Sequence, residues 1–461
     1  MADVQTPRPI VLASNRGPVS FKADRDGELR PQRGAGGLVS GLAPLVHGTD
    51  TLWIAAAMSD DDRRASRSGV SDGEGFRIHL LDIEASTFRL AYDVVANAVL
   101  WFVHHGLWDL VRQPRFDHRF AEAWEHYRRY NDQFADAIVA EAPPGAAVLV
   151  QDYHLALVAT RTREARPDLR LVLFTHTPFA PPAWMEVLPT EVATELLDGM
   201  AQFHAVGFHT RRWADDFEAS CQSLLGRRVT AFAATLGTDA RDIRDVSASA
   251  DSLRAQAEID ELAGDRQLIV RTERIELSKN LLRGFWAYGE LLERHPEHRG
   301  KVTFLARCYP SREGVADYLS YGREAETVVE HVNRRWGTDG WQPIVWEVTN
   351  DYPGSVAALC RYDVLLINPI RDGLNLVASE GPLVNGRNGV VCLSTQAGAY
   401  ETFGDLTLAI HPYDISQTAD ALHQALTMPA DERASRAAAI RKRSEQRSPA
   451  DWLADLVTQA G

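Results

Sequence analysis

This sequence predicts an α/β chain built as two parallel-sheet domains, and three observations lead there. The first is length: 461 residues exceed what one ordinary hydrophobic core organises, so two domains are expected. The second is a series of short unbroken apolar runs, the pattern of strands covered on both faces of a parallel sheet. The third is that these runs alternate with helix-spaced segments and end in polar or charged residues. In open parallel sheets, ligands bind beyond the carboxyl ends of the strands.

Composition narrows the function classes. A hydrophobic content of 45% with 8% aromatic residues suits a soluble α/β protein, and the net charge of -14 argues against general nucleic-acid binding or attachment to an anionic membrane. There are four lysines, Lys22, Lys279, Lys301 and Lys442, against 45 arginines, so a lysine inside a motif is informative here. Cys221, Cys308, Cys360 and Cys392 are widely spaced and read as reduced thiols of a cytoplasmic protein. The opening MADVQTPRPI has no apolar signal core, and no stretch approaches the length of a membrane helix.

In the first half, residues 10–13 read as a strand running into Ser14-Asn15-Arg16. A polar hairpin-like stretch then leads to the glycine cluster Gly34-Ala35-Gly36-Gly37, whose spacing is not the dinucleotide fingerprint. Residues 51–57 form a strand carrying Trp53, and 59–67 read as a solvated loop. Residues 92–101 have helical spacing, and Tyr92, Asn97 and Trp101 would line a pocket, the simpler reading of an aromatic pair on a helix being core; 120–142 is a long amphipathic helix. Two strands follow, 147–150 ending in Gln151-Asp152-Tyr153-His154 and 171–174 ending in Thr175-His176-Thr177-Pro178-Phe179. Two successive strands ending in a carboxylate or an imidazole suggest one shared site. No further ligands stand at metal spacing, so His154 and His176 read as hydrogen-bonding groups, with no metal expected. After a strand at 205–208, the chain leaves the first domain near Thr235-Leu236-Gly237.

The second half opens with a strand at 267–270, followed by Arg271 through Asn280 and a helix from Leu281. Arg274 and Lys279 lie together at that strand end, where two fixed cations match a diphosphate; the simpler reading is an ion pair with Glu273 or Glu276. A strand at 302–305 precedes Arg312, and one at 343–347 precedes Asn350-Asp351. Residues 364–385 read as buried strand, tight turn at Asp372-Gly373 and helix resuming at Leu374. Unbonded amides near Asn375, Leu376 and Val377 would receive an anion there, and Glu380 would accept hydrogen bonds from sugar hydroxyls. Strands at 390–393 and 408–410 complete the set, and an Arg/Ala-rich helix with Trp452 ends the chain.

Taken in order, Ser14-Asn15-Arg16, Gly36-Gly37-Leu38, Tyr92 with Asn97 and Trp101, Asp152-Tyr153-His154, His176-Thr177-Pro178-Phe179, Arg274 with Lys279, and Asp372 through Glu380 resemble the motifs of the trehalose-6-phosphate synthase family. The resemblance runs from about residue 10 to about residue 426. It implies an α/β GT-B architecture, two Rossmann-like doubly wound parallel-sheet domains facing an interdomain cleft. Residues 1–237 would form the acceptor-binding domain, 238–440 the donor-binding domain, and 441–461 a helix packing back on the first.

The activity implied is retaining transfer of glucose from a nucleotide-glucose donor to glucose 6-phosphate, without a metal or cofactor. Arg16, Gly37, Tyr92, Trp101, Asp152 and Arg312 would hold the acceptor. Arg274, Lys279, Asn350, Asp351, Asp372, Gly373, Asn375, Leu376, Val377 and Glu380 would hold the donor. Asp152, His176, Arg274, Lys279 and Asp372 would surround the reacting atoms. Partners would be the two small substrates, with no nucleic acid or membrane, and self-association is left open.

Four departures resemble an actinobacterial branch that includes GDP-glucose-using synthases and the pseudo-glycosyltransferases related to validoxylamine phosphate synthase. W-x-G-W is here Trp53-Ile54-Ala55-Ala56, removing one aromatic wall of the acceptor pocket. P-I-G is Thr235-Leu236-Gly237, R-L-D-Y-x-K-G is Arg274 through Asn280, and the lysine before the helix glutamate is Ser379. Asn350-Asp351 falls where the base would lie, and a carboxylate can accept from two guanine donors at once, which favours GDP-glucose over UDP-glucose. The alternatives are coupling of a GDP-activated cyclitol to an aminocyclitol phosphate, and a non-catalytic sugar-phosphate sensor. Arg274, Lys279 and Glu380 are all present, which disfavours the sensor.

Overall fold

The computed structural model describes residues 8–33, 37–69, 71–312 and 314–461, with the side chains of 33 and 37–40 left outside the description. The chain divides into two compact units, Met1–Leu236 with Pro449–Gly461, and Gly237–Ser448. Each is built on a sheet of parallel strands with helices packed against it, the first sheet adding one short antiparallel edge strand, Asp72–Gly73.

The first unit carries an eight-stranded sheet. Its first strand, Ile10–Ser14, lies between Leu52–Ala56 on one side and Ala147–Gln151 on the other, both parallel to it. From Ile10–Ser14 the chain winds outward through Leu52–Ala56 to Phe76–Leu81. It then crosses back to Ala147–Gln151 and winds the other way through Arg170–Thr175, Ala205–Phe208 and Ala231–Ala233. The direction of winding reverses between Ile10–Ser14 and Ala147–Gln151, where Ser14 lies opposite Gln151.

The second unit repeats the plan with six parallel strands. Gln267–Arg274, Val302–Tyr309 and Ile344–Val348 wind one way; Val364–Ile367, Val390–Ser394 and Leu408–Ile410 wind the other. Here the reversal falls between Gln267–Arg274 and Val364–Ile367, which pair through Ile269 with Val364 and Val270 with Leu365. One core cluster runs along this sheet, with Phe285, Leu291, Phe304, Val364, Leu366 and Leu422 at its centre. The α/β class expected from the apolar runs, and the doubly wound form implied by the family resemblance, are the ones observed.

Several local expectations change. Residues 59–67 are not a loop: Ser59 caps the helix Asp60–Arg67 through a reciprocal capping box with Asp62. Asp62 is buried and also accepts from the Phe21 amide at 2.7 Å, tying that helix to the hairpin of Val19–Ala23 and Leu29–Arg33. The segment around Tyr92 is a π-helix, Leu90–Leu100, followed by the α-helix Trp101–His105. Tyr92 and Asn97 would stand about 140° apart on an α-helix, whereas i→i+5 bonding draws them to one side. After Asp372 the helix begins only at Val377, because Asn375 takes a left-handed backbone, φ 77°. Residues 441–461 are not one helix either. Ala430–Ser444 ends, and Pro449, which restricts Ser448 to extended backbone, opens Pro449–Gln459. Among the described residues, no helix is long and apolar enough to cross a membrane.

Within the first unit the last helix is held by Trp452, which is 0% exposed and lies edge-on to Phe174 with ring centroids 5.1 Å apart. Trp452→Ala is expected to destabilise the first unit by about 3–5 kcal/mol, read as an early transition in urea unfolding, while tryptophan-free probes of the second unit keep their midpoint.

Candidate functional site

At the reversal point of each sheet, adjacent loops separate in opposite directions and leave a crevice at the carboxyl ends of the strands. Arg16 and Asp152 in the first unit, and Lys279 and Asp372 in the second, stand on loops at these two places, whereas Arg312 and Asn350-Asp351 follow strands farther out in the second sheet.

In the first unit, Arg16 and Asp152 follow the two strands at the reversal. Arg16 is exposed, and no ion pair or hydrogen bond engages its side chain among the described residues. Its loop is rigid. Ser14 Oγ donates to the Arg16 carbonyl at 2.6 Å and accepts from Trp53 Nε1 at 2.7 Å, while the buried Asn15 accepts from the Tyr130 hydroxyl. Trp53 is therefore an underlay for the Arg16 loop. Gly37 opens the helix Gly37–Val46, and the preceding Gly34-Ala35-Gly36 lie outside the described residues.

Asp152 adopts φ 73°, ψ 161°, a conformation that L-residues with a side chain rarely enter. Two amides fix its carboxylate: Oδ1 accepts from Tyr153 at 3.1 Å and from His176 at 3.3 Å. Beside it Tyr92, His154 and Tyr153 form a continuous stack, with centroids 5.4 and 4.3 Å apart. The Tyr153 hydroxyl reaches Asn97 Oδ1 at 3.3 Å. The stack continues from Tyr92 to Phe88 at 5.2 Å; Tyr92 remains partly exposed, whereas Trp101 is buried and stacked on His105 at 4.2 Å.

His176 has both ring nitrogens engaged, Nε2 with Gln151 Oε1 at 3.0 Å and Nδ1 with His209 Nε2 at 3.1 Å. The Leu236 amide donates to His209 Nδ1 at 3.4 Å, so the proton directions are self-consistent with two neutral imidazoles. Burial pushes the His176 pKa down to about 3, and burial together with His176 lowers that of His209.

In the second unit, the loops after Gln267–Arg274 and Val364–Ile367 carry the fixed charges. Lys279 Nζ meets Asp372 Oδ2 at 2.5 Å, and Asn375 Nδ2 donates to the same oxygen at 3.1 Å. Burial opposes the ammonium charge of Lys279, but Asp372 upholds it, and its pKa lies above the ordinary value. Just beyond, Leu376 and Val377 present backbone amides that no carbonyl receives among the described residues, at the start of the helix Val377–Val384. The Asp372-Gly373 turn is backed by the loop at Gly398, where an added Cβ would stand 2.0 Å from the Gly373 carbonyl oxygen.

Arg274 does pair with Glu276, at 3.0 Å, but not as a surface bridge. Glu276 is 1% exposed and also receives Arg312 Nη1 at 3.0 Å and Ser311 Oγ at 3.0 Å. Arg312, set apart in sequence, thus shares one carboxylate with Arg274. Asp351 caps the helix Tyr352–Arg361 by accepting from the Gly354 amide at 3.0 Å, and its other oxygen meets Arg307 at 3.1 Å. Asn350 is exposed beside it, flanked by exposed Val348 and Tyr352. Glu380 is partly exposed. Burial and the nearby Asp242 carboxylate push its pKa up to about 7.

Sequence reasoning missed Arg271, Asn368, Gln151 and His209. Arg271 alone left a signal, a charged residue directly after the apolar run 268–270. Four of the six non-glycine residues with positive φ, Asp152, Asn280, Arg312 and Asn375, sit in these two loop clusters, which marks them as places where backbone strain is retained.

The model of glycosyltransferase family 20 matches residues 8–460. The chain is 29% identical over 97% of its length to the bifunctional trehalose-6-phosphate synthase/phosphatase of Thermoproteus tenax, of which it spans 63%. It is 30% identical over 98% of its length to the validamine 7-phosphate valienyltransferase of Streptomyces hygroscopicus subsp. jinggangensis, of which it spans 93%. An E. coli structure bound with UDP-2-fluoro glucose superposes with a TM-score of 0.83 at 26% identity, covering 97% of this chain and 99% of that one.

Glu380 supplies a pH test. Its carboxyl titrates higher folded, about 7, than its ordinary 4.5, so it costs stability progressively as pH rises across that window. Glu380→Gln is expected to raise the melting temperature relative to wild type more at pH 8 than at pH 5. An equal shift at both pH values would contradict the raised titration.

Proposed function

The chain belongs to glycosyltransferase family 20, and we propose that this hexosyltransferase moves glucose from a nucleotide-glucose donor to glucose 6-phosphate, forming α,α-trehalose 6-phosphate with retention. The observation that carries the reading is the second unit's loop cluster. There Lys279 sits on Asp372, the amides of Leu376 and Val377 receive no carbonyl among the described residues, and Arg274 ends the neighbouring strand, paired with Glu276. A donor diphosphate is the ligand whose charge and length suit that set.

Each group then has a task. The diphosphate draws Lys279 from Asp372, and Asp372, released, accepts from the donor hexose hydroxyls. Arg274 and the amino end of the helix Val377–Val384 neutralise the charge that grows on the departing phosphate. The acceptor hydroxyl passes its proton to that phosphate oxygen as the new bond forms on the same face, so the chain need supply no nucleophile. Glu380 receives the ribose hydroxyls. In the first unit, Arg16 pairs with the acceptor 6-phosphate, and Tyr92 and Asp152 meet the acceptor ring.

For the donor base, guanine is the finer reading. The carboxylate of Asp351 uses two of its roughly four lone-pair sites on Gly354 and Arg307, leaving two for the adjacent N1–H and N2–H2 donors of guanine. Tyr352 and Val348 are exposed beside it to pack on the base. The four free, buried cysteines suit the reducing cytoplasm as the place of action. The second reading, pseudo-glycosyl transfer between cyclitols, is favoured by the 30% identity to the valienyltransferase.

Incubation with GDP-glucose or UDP-glucose and glucose 6-phosphate, with the product identified by mass spectrometry and NMR, tests the reading. Trehalose 6-phosphate formed faster from GDP-glucose is expected; a product only from an activated cyclitol would replace it. Lys279→Ala is expected to lower kcat about 10²–10³-fold with an unchanged circular dichroism spectrum. Arg16→Ala is expected to raise KM for glucose 6-phosphate about 10–100-fold, the loss of one charge-assisted pair, with little change for the donor. Equal effects on both substrates would remove the acceptor role of Arg16.

A further inference from the structure

Glu276 is a buried carboxylate with no part in the chemistry outlined above, yet three groups converge on one of its oxygens. Oε1 accepts hydrogen bonds from Arg312 Nη1 and Ser311 Oγ and forms an ion pair with Arg274 Nε, each at 3.0 Å. The two guanidiniums reach it from different segments, one from the end of the strand Gln267–Arg274 and one from the loop following Val302–Tyr309. Glu276 itself is 1% exposed, while the side chains of Arg274 and Arg312 are 44% and 15% exposed. Arg274 thus keeps solvent-facing surface beside the carboxylate, while Arg312 is largely enclosed. Arg312 is further pinned by its Nη1 to the Tyr318 hydroxyl at 2.7 Å, and holds a left-handed backbone, φ 48°.

An arginine side chain loses up to about 2 kcal/mol of rotamer freedom when it is fixed. Fixing it before the ligand arrives removes that cost from the transition state. Two guanidiniums close together also repel each other, and a buried anion between them offsets that repulsion. Although burial opposes its charge, Arg274, Arg312 and Lys279 hold the Glu276 carboxyl down at about 2, so it stays ionised throughout the useful pH range. A surface ion pair would not serve, because solvent competition leaves both partners mobile.

We propose that Glu276 is a positioning residue: from its buried seat it holds Arg274 and Arg312 as one preset pair, so that both guanidiniums meet phosphate oxygens together. The assignment rests on the transferase reading for its consequence in turnover, but the holding of the two arginines is independent of which substrate binds. A competing role has the opposite sign. Were Glu276 only a counter-charge, it would compete with the ligand for the arginines, and its removal would speed the reaction.

The test uses the full chain with Glu276→Gln, which keeps the shape and removes the charge, and Glu276→Asp, which keeps the charge on a shorter stem. Glu276→Gln is expected to lower kcat/KM about 30-fold or more, corresponding to about 2 kcal/mol of transition-state stabilisation, and chiefly in kcat. Glu276→Asp recovers part of the loss. In an Arg274→Ala, Arg312→Ala background the same substitution costs less than about 3-fold, because the groups it positions are gone.

Phenylglyoxal labelling of the ligand-free protein, read peptide by peptide by mass spectrometry, needs no turnover. Labelling of Arg274 and Arg312 rises in Glu276→Gln while that of Arg30, in the first unit, stays the same. Unchanged labelling, full additivity with the arginine variants, or a faster Glu276→Gln enzyme each overturns the proposal. Absence of product with the wild-type chain would instead sink the transferase reading, with the labelling result still deciding Glu276.

Discussion

A buried guanidinium joins two loops at the carboxyl ends of the second unit's central strands, and the order of those loops depends on it. Arg271 is wholly inside the protein, with Nε on Glu273 at 2.5 Å and Nη2 on the Lys279 carbonyl at 3.0 Å and on Asn368 Oδ1 at 2.6 Å. Asn280 and Asn368 complete the weld by exchanging side-chain amide to carbonyl bonds at 2.9 and 3.2 Å. A charge in such a place is costly unless every donor is satisfied, and removing one partner typically costs about 3–5 kcal/mol. The helix Leu281–Arg294 leaves room for it at Gly284, where a Cβ would stand 2.5 Å from Arg271 Nη1. Lys279 is thus held by its backbone from below and by Asp372 from above. Its ammonium can exchange one anionic partner for another without the loop having to fold around the ligand.

The first unit achieves rigidity by a different route. Its fixed elements are neutral: a directional chain of hydrogen bonds from Leu236 through His209 and His176 to Gln151, and aromatic stacking around His154. Low dielectric strengthens such a chain and keeps the imidazoles uncharged. His176 meets the rest of the site through its backbone amide, which steadies the strained Asp152. Arg16 stands exposed with no side-chain partner among the described residues, on a loop braced by Trp53 and Asn15. In the second unit Lys279, Arg274 and Arg312 are instead each paired with a carboxylate.

Backbone strain follows the same division of labour. Asp152, Asn280, Arg312 and Asn375 all hold positive φ beside charged or amide-rich loops, and each is flanked by contacts that leave its neighbours little freedom. Strain of this kind persists only where surrounding structure overdetermines it. The π-helical turn around Tyr92 belongs with them, since it widens the helix at the point where Tyr92 and Asn97 must share a side.

From the sequence by itself came the alternation of apolar runs with helices, hence the two parallel sheets, and the charged or polar residues at the strand ends. Those features are local: a run of Val364 to Ile367 is a buried strand in almost any context, and a turn such as Asp372-Gly373 is written in adjacent residues. The loop at 59–67 was misread because a capping box can make a very polar segment helical once Asp62 is buried. Strand order was the tertiary structure's decision. That order placed Arg16 beside Asp152 and Lys279 beside Asp372, and it brought Arg312 to the carboxylate of Glu276. Such partners are far apart along the chain, and nothing in the spacing of either partner encodes the other. Burial likewise decided charge, since Arg271, Glu276 and Glu380 look like ordinary ionisable residues until the surrounding core removes their water.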